Sequence, residues 1–259
     1  MKQFLFLVSM FFAGIVFSQN QQTQFMSQYF LNDMQINPAI SGSKSYNPLV
    51  FQNRTQWLGF EGAPMQSNIS YNGALNNRSA IGGYLNFFRG YPFLQSDLSL
   101  NYAYHIPLNY EKVNLSFGLG AKMSYLNIDF NEGDLPMETD PAFSANSEDN
   151  FRTDGLFGVY LYGANFYSGF SIINLVNTGD FFDEKESKTY YLLGAYRFNI
   201  MNDDWQLEPS FLVRKQNKQS YNNDLTARII YLNNSWASVG YRTNGTAVFG
   251  FGFAANNMH

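Results

Sequence analysis

Between positions 97 and 125 the chain alternates apolar and polar residues with a single interruption. Leu98, Leu100, Tyr102, Tyr104 and Ile106 share one face, opposed by Asp97, Ser99, Asn101, Ala103 and His105. After a break at 107–112 the alternation resumes, with Val113, Leu115, Phe117, Leu119, Ala121, Met123 and Tyr125 on one side and Asn114, Ser116, Gly118, Gly120, Lys122 and Ser124 on the other. A period of two is the signature of strands, so this is a hairpin of two long ones. Soluble strands run about five or six residues, whereas a tilted strand needs roughly ten to cross a bilayer. A polar face of small and charged residues suits the inside of an outer-membrane barrel.

The same pattern recurs along the rest of the chain. It predicts twelve strands, near 49–57, 65–75, 80–89, 94–106, 113–130, 151–162, 166–175, 188–200, 205–215, 223–232, 236–243 and 246–254. Connections 76–79, 107–112, 163–165, 201–204 and 233–235 are short; the alternate ones, 58–64, 90–93, 131–150, 176–187, 216–222 and 244–245, are longer in four of six cases. Transmembrane barrels alternate short periplasmic turns with longer outer loops, and a soluble sandwich gives no reason for such parity. The expected fold is therefore an all-β, antiparallel, transmembrane outer-membrane β-barrel spanning 47–259, with the short turns in the periplasm. Residues 256–259 read as a turn opening a further hairpin. The expectation is a chain short of one hairpin, since an open sheet edge in hydrocarbon leaves backbone groups unpaired.

The N-terminal segments lie outside this pattern. Lys2 precedes an uncharged run at 4–17 and Ser18, which reads as a cleaved signal peptide, 1–18; a membrane anchor would need about 20 apolar residues. Residues 19–46 show no sustained alternation and carry turn signals at Asn37-Pro38-Ala39 and Ser41-Gly42-Ser43, so they form an N-terminal periplasmic arm that folds toward the barrel mouth.

Composition narrows the class. Aromatics make up 18% of the chain and charged residues 14%, while the mean hydropathy is only −0.26. A soluble secreted protein carries more charge and a helical membrane protein is more apolar; a barrel with aromatic girdles fits both values. No Cys is present, which removes disulfides and thiol chemistry. A net charge of −4 with no basic cluster gives no footing for nucleic acid.

Candidate chemistry is sparse. His105, Lys122, Asp97, Arg54 and Arg228 fall on polar faces and read as an ion-pair network lining or plugging the lumen. Two His and no G-x-S-x-G or H-E-x-x-H motif leave an enzyme unsupported. The loop 131–150 holds Glu132, Asp134, Glu138, Asp140, Glu148 and Asp149 but lacks the ligand order of a Ca²⁺ loop, so it reads as a solvated surface loop. Gly118-Leu119-Gly120 and Gly155-Leu156-Phe157-Gly158 sit mid-strand, where small lumen-facing residues explain them better than phosphate binding does. Trp57, Phe60, Tyr91, Phe93, Phe181 and Phe182 gather at strand ends on the outer side, either as an interfacial girdle or as a partner surface. No catalytic, cofactor-binding or metal-binding residue is expected.

Several ordered motifs are familiar. Gln24-Phe-Met-Ser-Gln-Tyr29, Ile36-Asn-Pro-Ala39 with Gly42, and Arg54-Thr-Gln-Trp57 with Gly59 and Gly62-Ala-Pro64 resemble the N-terminal signature of the PorP/SprF family of the type IX secretion system in Bacteroidetes. Phe170-Ser-Ile-Ile-Asn-Leu175, Tyr190-Tyr-Leu-Leu-Gly-Ala-Tyr-Arg-Phe198, Leu207-Glu-Pro-Ser-Phe211 and Trp236-Ala-Ser-Val-Gly-Tyr-Arg242 resemble its later strands. The resemblance implies a non-enzymatic outer-membrane barrel of about 14 strands, a size within the range of such barrels. It also implies partners: outer-membrane lipid, the type IX translocon, periplasmic ring proteins, and cargo with a C-terminal sorting domain, in some members a gliding adhesin. Asn37, Pro38, Gly42, Arg54, Trp57, Gly59, Ala63 and Pro64 are the positions it singles out, as shapers of the arm and first hairpin or as partner contacts. The competing reading is a small-molecule or hydrophobic-compound channel of the same fold.

Overall fold

The computed structural model describes residues 28–60, 62–108, 112–128, 148–176, 188–201, 204–216 and 221–254. Alternation becomes thirteen strands: β1 Leu49–Thr55, β2 Met65–Ala74, β3 Ser79–Gly90, β4 Phe93–Leu108, β5 Val113–Ile128, β6 Glu148–Gly163, β7 Phe166–Ile173, β8 Thr189–Tyr196, β9 Phe198–Met201, β10 Trp205–Gln216, β11 Asn222–Tyr231, β12 Ser235–Arg242 and β13 Thr246–Phe253. They form one antiparallel sheet in chain order, with β8 and β9 both on β10. No helix among the described residues is long and apolar enough to cross a membrane, which says nothing of strands.

The count of twelve is corrected by a single residue. The pairs Ser210↔Ala195 and Leu207↔Phe198 keep one register across β8 and β9, leaving Arg197 opposite Glu208. Arg197 interrupts the ladder because its backbone N–H goes to Asn165 O, at 2.7 Å, and its guanidinium to Glu208. A second correction concerns the acidic loop. β6 begins at Glu148, and Asp149 accepts from Tyr125 Oη and Asn127 Nδ2, both at 2.7 Å, so these two acids belong to a strand paired with β5. Glu132, Asp134, Glu138 and Asp140 lie outside the described residues, as do Phe181 and Phe182.

The predicted hairpin is present as β4 and β5, paired from Phe93↔Ile128 to Leu108↔Val113. Its burial is inverted relative to a water-soluble sheet. Leu100 is 64% exposed and Leu119 62%, whereas Ser99 and Ser116 are fully buried and Asn101 nearly so. Across the sheet, exposed large apolar residues face outward and polar ones inward, the arrangement a hydrocarbon solvent selects.

The interior is occupied by the N-terminal arm, three successive 3-10 turns at Tyr29–Leu31, Asp33–Gln35 and Pro38–Ile40. A flat sheet of this many strands would be roughly 50 Å wide at the usual strand spacing. Yet Phe30 packs edge-on against Trp236 of β12, while Asn32, two residues on, donates to Gln52 of β1 and Asn68 of β2. The sheet therefore curls around the arm, bringing its first and penultimate strands close to one short turn. Among the described residues β1 and β13 each have one strand neighbour.

Candidate functional site

The arm is held chiefly by its polar atoms. Asn37 is fully buried; its Oδ1 accepts from Ala39 N at 2.9 Å, capping the third turn, and its Nδ2 donates to Val159 O of β6 at 3.0 Å and Phe170 O of β7 at 3.4 Å. Pro38 follows as the first residue of that turn, where its missing N–H costs nothing. Ser171 Oγ donates to Ile36 O at 2.5 Å, and Ser41 O meets His105 Nε2 at 2.9 Å. Gly42 leaves the turn at φ 73°, with Ala80 of β3 directly against the position a side chain would take. Tyr29 Oη donates to Ser210 Oγ at 3.0 Å, and burial pushes its pKa up to about 12, so it stays protonated and remains a donor.

The opposing strands are cut back to receive this chain. A Cβ on Gly118 would fall on the backbone of Ala39, and one on Gly158 on Asn37 Oδ1. These are the two glycine motifs read as small lumen-facing residues, and the arm is what they face. Around them Tyr29, Ala39, Ile40, Tyr160, Leu193 and Leu212 form a small apolar core.

Beside the arm, at the short-turn end of the strands, lies a cavity of about 580 Å³. Its charge centre is Glu208, which receives Arg197 from Nε at 3.0 Å and from NH2 at 2.8 Å, and also Arg228 of β11 through NH2. Arg228 additionally stands over the Phe30 ring at 4.5 Å. A second pair, Lys44 with Asp33 at 3.1 Å, comes from the arm itself. Farther along the same strands toward the longer connections, Arg242 makes a two-point pair with Asp224, at 2.6 and 2.8 Å.

The structure divides the eight predicted positions between two places. Asn37, Pro38 and Gly42 are in the arm, inside the curl. Trp57, Gly59, Ala63 and Pro64 lie together in the β1–β2 connection at the opposite end, with Trp57 at φ 49° and 71% exposed, Gly59 at φ 95°, and Phe60 N bonded to Trp57 O at 3.1 Å. Arg54 is on β1 between them, paired with Gln66. The predicted ion-pair network includes Arg228 and is corrected at His105, which binds Ser41 O and Tyr162 Oη because the arm presents a carbonyl rather than a carboxylate there. Among its contacts Lys122 donates to Asn174 Oδ1 at 2.7 Å, and Asp97 accepts from Gln95 Nε2 at 3.1 Å. Glu208 was missed, although it is the one acid on the inward face of its strand. Among the described residues no three metal-capable side chains come together.

Replacing Asn37 by Ala removes the cap and strands two carbonyl contacts. The expected cost is about 2 kcal/mol, from the usual magnitudes for a cap and for buried hydrogen bonds. Denaturant unfolding of the detergent-solubilised protein measures it, and Asn37→Ser, which keeps the cap alone, should fall between the two.

The model of a protein family described as type IX secretion system membrane protein PorP/SprF matches residues 18–259. No curated protein matches the chain.

Proposed function

The chain belongs to the PorP/SprF family of type IX secretion system membrane proteins, and from that premise we propose that it is a non-enzymatic outer-membrane component of the system. Its curled sheet closes into a barrel of 47–259 around the described part of the arm of 19–46, which enters from the periplasmic side where the short turns lie, after a signal peptide of 1–18 is removed. It engages machine proteins of the translocon and periplasmic ring through the arm side, and cargo with a C-terminal sorting domain in support of export or surface retention. Gliding adhesins are one class of such cargo.

The observation that carries this reading is the inverted sheet wrapped on its own chain. An apolar exterior fits lipid, and an interior filled by the arm leaves rims and arm as the surfaces available for recognition. Asn37, Pro38 and Gly42 then act by fixing the arm, while exposed Trp57 and the turn of Gly59, Ala63 and Pro64 present the opposite rim, with Arg54 between.

Affinity purification from native outer membrane under gentle detergent tests this. Ring, translocon or sorting-domain proteins are expected to co-purify. Recovery of unrelated porins and lipid alone would overturn it.

A further inference from the structure

Among the described residues, the charged side chains lining the cavity at the short-turn end are unequal in number: three cations, Lys44, Arg197 and Arg228, against two carboxylates, Asp33 and Glu208. Lys44 and Asp33 neutralise each other. Two guanidiniums are left to share one carboxylate, and Arg228 Nε is buried with no partner among the described residues. Burying excess charge is costly unless a partner of opposite sign completes it.

The rest of the lining mixes small and polar residues with aromatic rings, among them Phe30, Tyr160, Tyr162, Tyr167 and Trp236. A cavity of about 580 Å³ is in the size range of ligand sites. Arginines, tyrosines and tryptophans in a partly desolvated recess are the composition of interface anchor sites, and a guanidinium recognises a carboxylate through paired N–H donors.

We propose that this cavity is a docking site for an acidic side chain carried on a peptide segment of a partner protein, its carboxylate seated at Arg228 and Arg197 and a neighbouring apolar or aromatic residue against Phe30 and Trp236. This rests on the secretion reading only for the side of the membrane from which the partner comes; the chemistry stands on the cavity.

Calorimetric titration of the purified full chain in detergent tests it, with acetyl-Gly-Trp-Glu-Gly-amide and its isosteric Gln counterpart as probes. The Glu peptide is expected to bind about tenfold tighter, the factor a charge-assisted contact ordinarily gives. Arg228→Gln should abolish that preference, and Asp33→Asn, which releases Lys44, should strengthen it. A purely structural role for these residues would not give opposite signs. Equal binding of the two peptides, no binding of either by the folded protein, or competition by free acetate at the peptide's own concentration would overturn the proposal. None of these outcomes depends on which proteins co-purify, so the two readings fail separately.

Discussion

Glu208→Ala is expected to cost about 3–4 kcal/mol of stability, near the lower part of the range for breaking a buried ion pair. The Glu208 side chain is 4% exposed and neutralises two guanidiniums at once. Removing it leaves Arg197 and Arg228 facing one another with no acceptor. Arg197 is one-third exposed and can turn toward water, which keeps the loss below the maximum. Arg228 is more confined, held over Phe30.

The companion variant identifies the cause. Arg228→Leu combined with Glu208→Ala removes the uncompensated charge as well as its partner, so the double variant should lose less than the sum of the single ones. Denaturant midpoints in detergent, arranged as a double-mutant cycle, measure the coupling. Strict additivity would mean that Glu208 acts through packing and that the shared-carboxylate description is wrong.

The strands were legible because an alternating face is a local signal repeated over many residues. Leu98 to Ile106 and their polar neighbours state it without reference to anything distant. What escaped was set by register and by long-range seating. Arg197 looks like one more residue in an apolar run until its carboxylate partner stands across the ladder, and that pairing depends on a register that a one-residue slip would invert. The arm has no period at all. Its place follows from atoms on most of the strands, so Asn37-Pro38-Ala39, Gly118 and Gly158 could each be noticed in the sequence while their contact could not. Trp57, Gly59 and Pro64 were legible as a turn; their separation from Asn37 became visible only with the fold.

That seating yields the second large effect, which concerns passage through the barrel rather than its stability. In the proposed closed barrel the wild-type protein should be silent in a planar bilayer, since the arm and the core of Tyr29, Ile40, Tyr160 and Leu193 cross the interior beside the cavity at the short-turn end. Gly118→Val places a branched side chain where the Ala39 backbone runs, and Gly158→Val does the same to Asn37. At Gly118 the Cβ itself meets main-chain atoms of Pro38 and Ala39, which no rotamer change relieves; at Gly158 it meets the Asn37 amide, which can turn away only by giving up its cap and its bonds to the strands. Overpacking costs about 1–3 kcal/mol at each site, and the lost Asn37 bonds add about 1 kcal/mol apiece. The strands themselves keep their ladder, so the arm is the element that yields. The double variant should therefore retain its β circular dichroism, expose the arm to protease, and show stepwise ion conductance. Leu119→Val, one residue away but on the lipid-facing side, should remain silent. Conductance in the wild type would revive the channel reading; silence in a double variant whose arm is demonstrably released would show that the arm is not what closes the lumen.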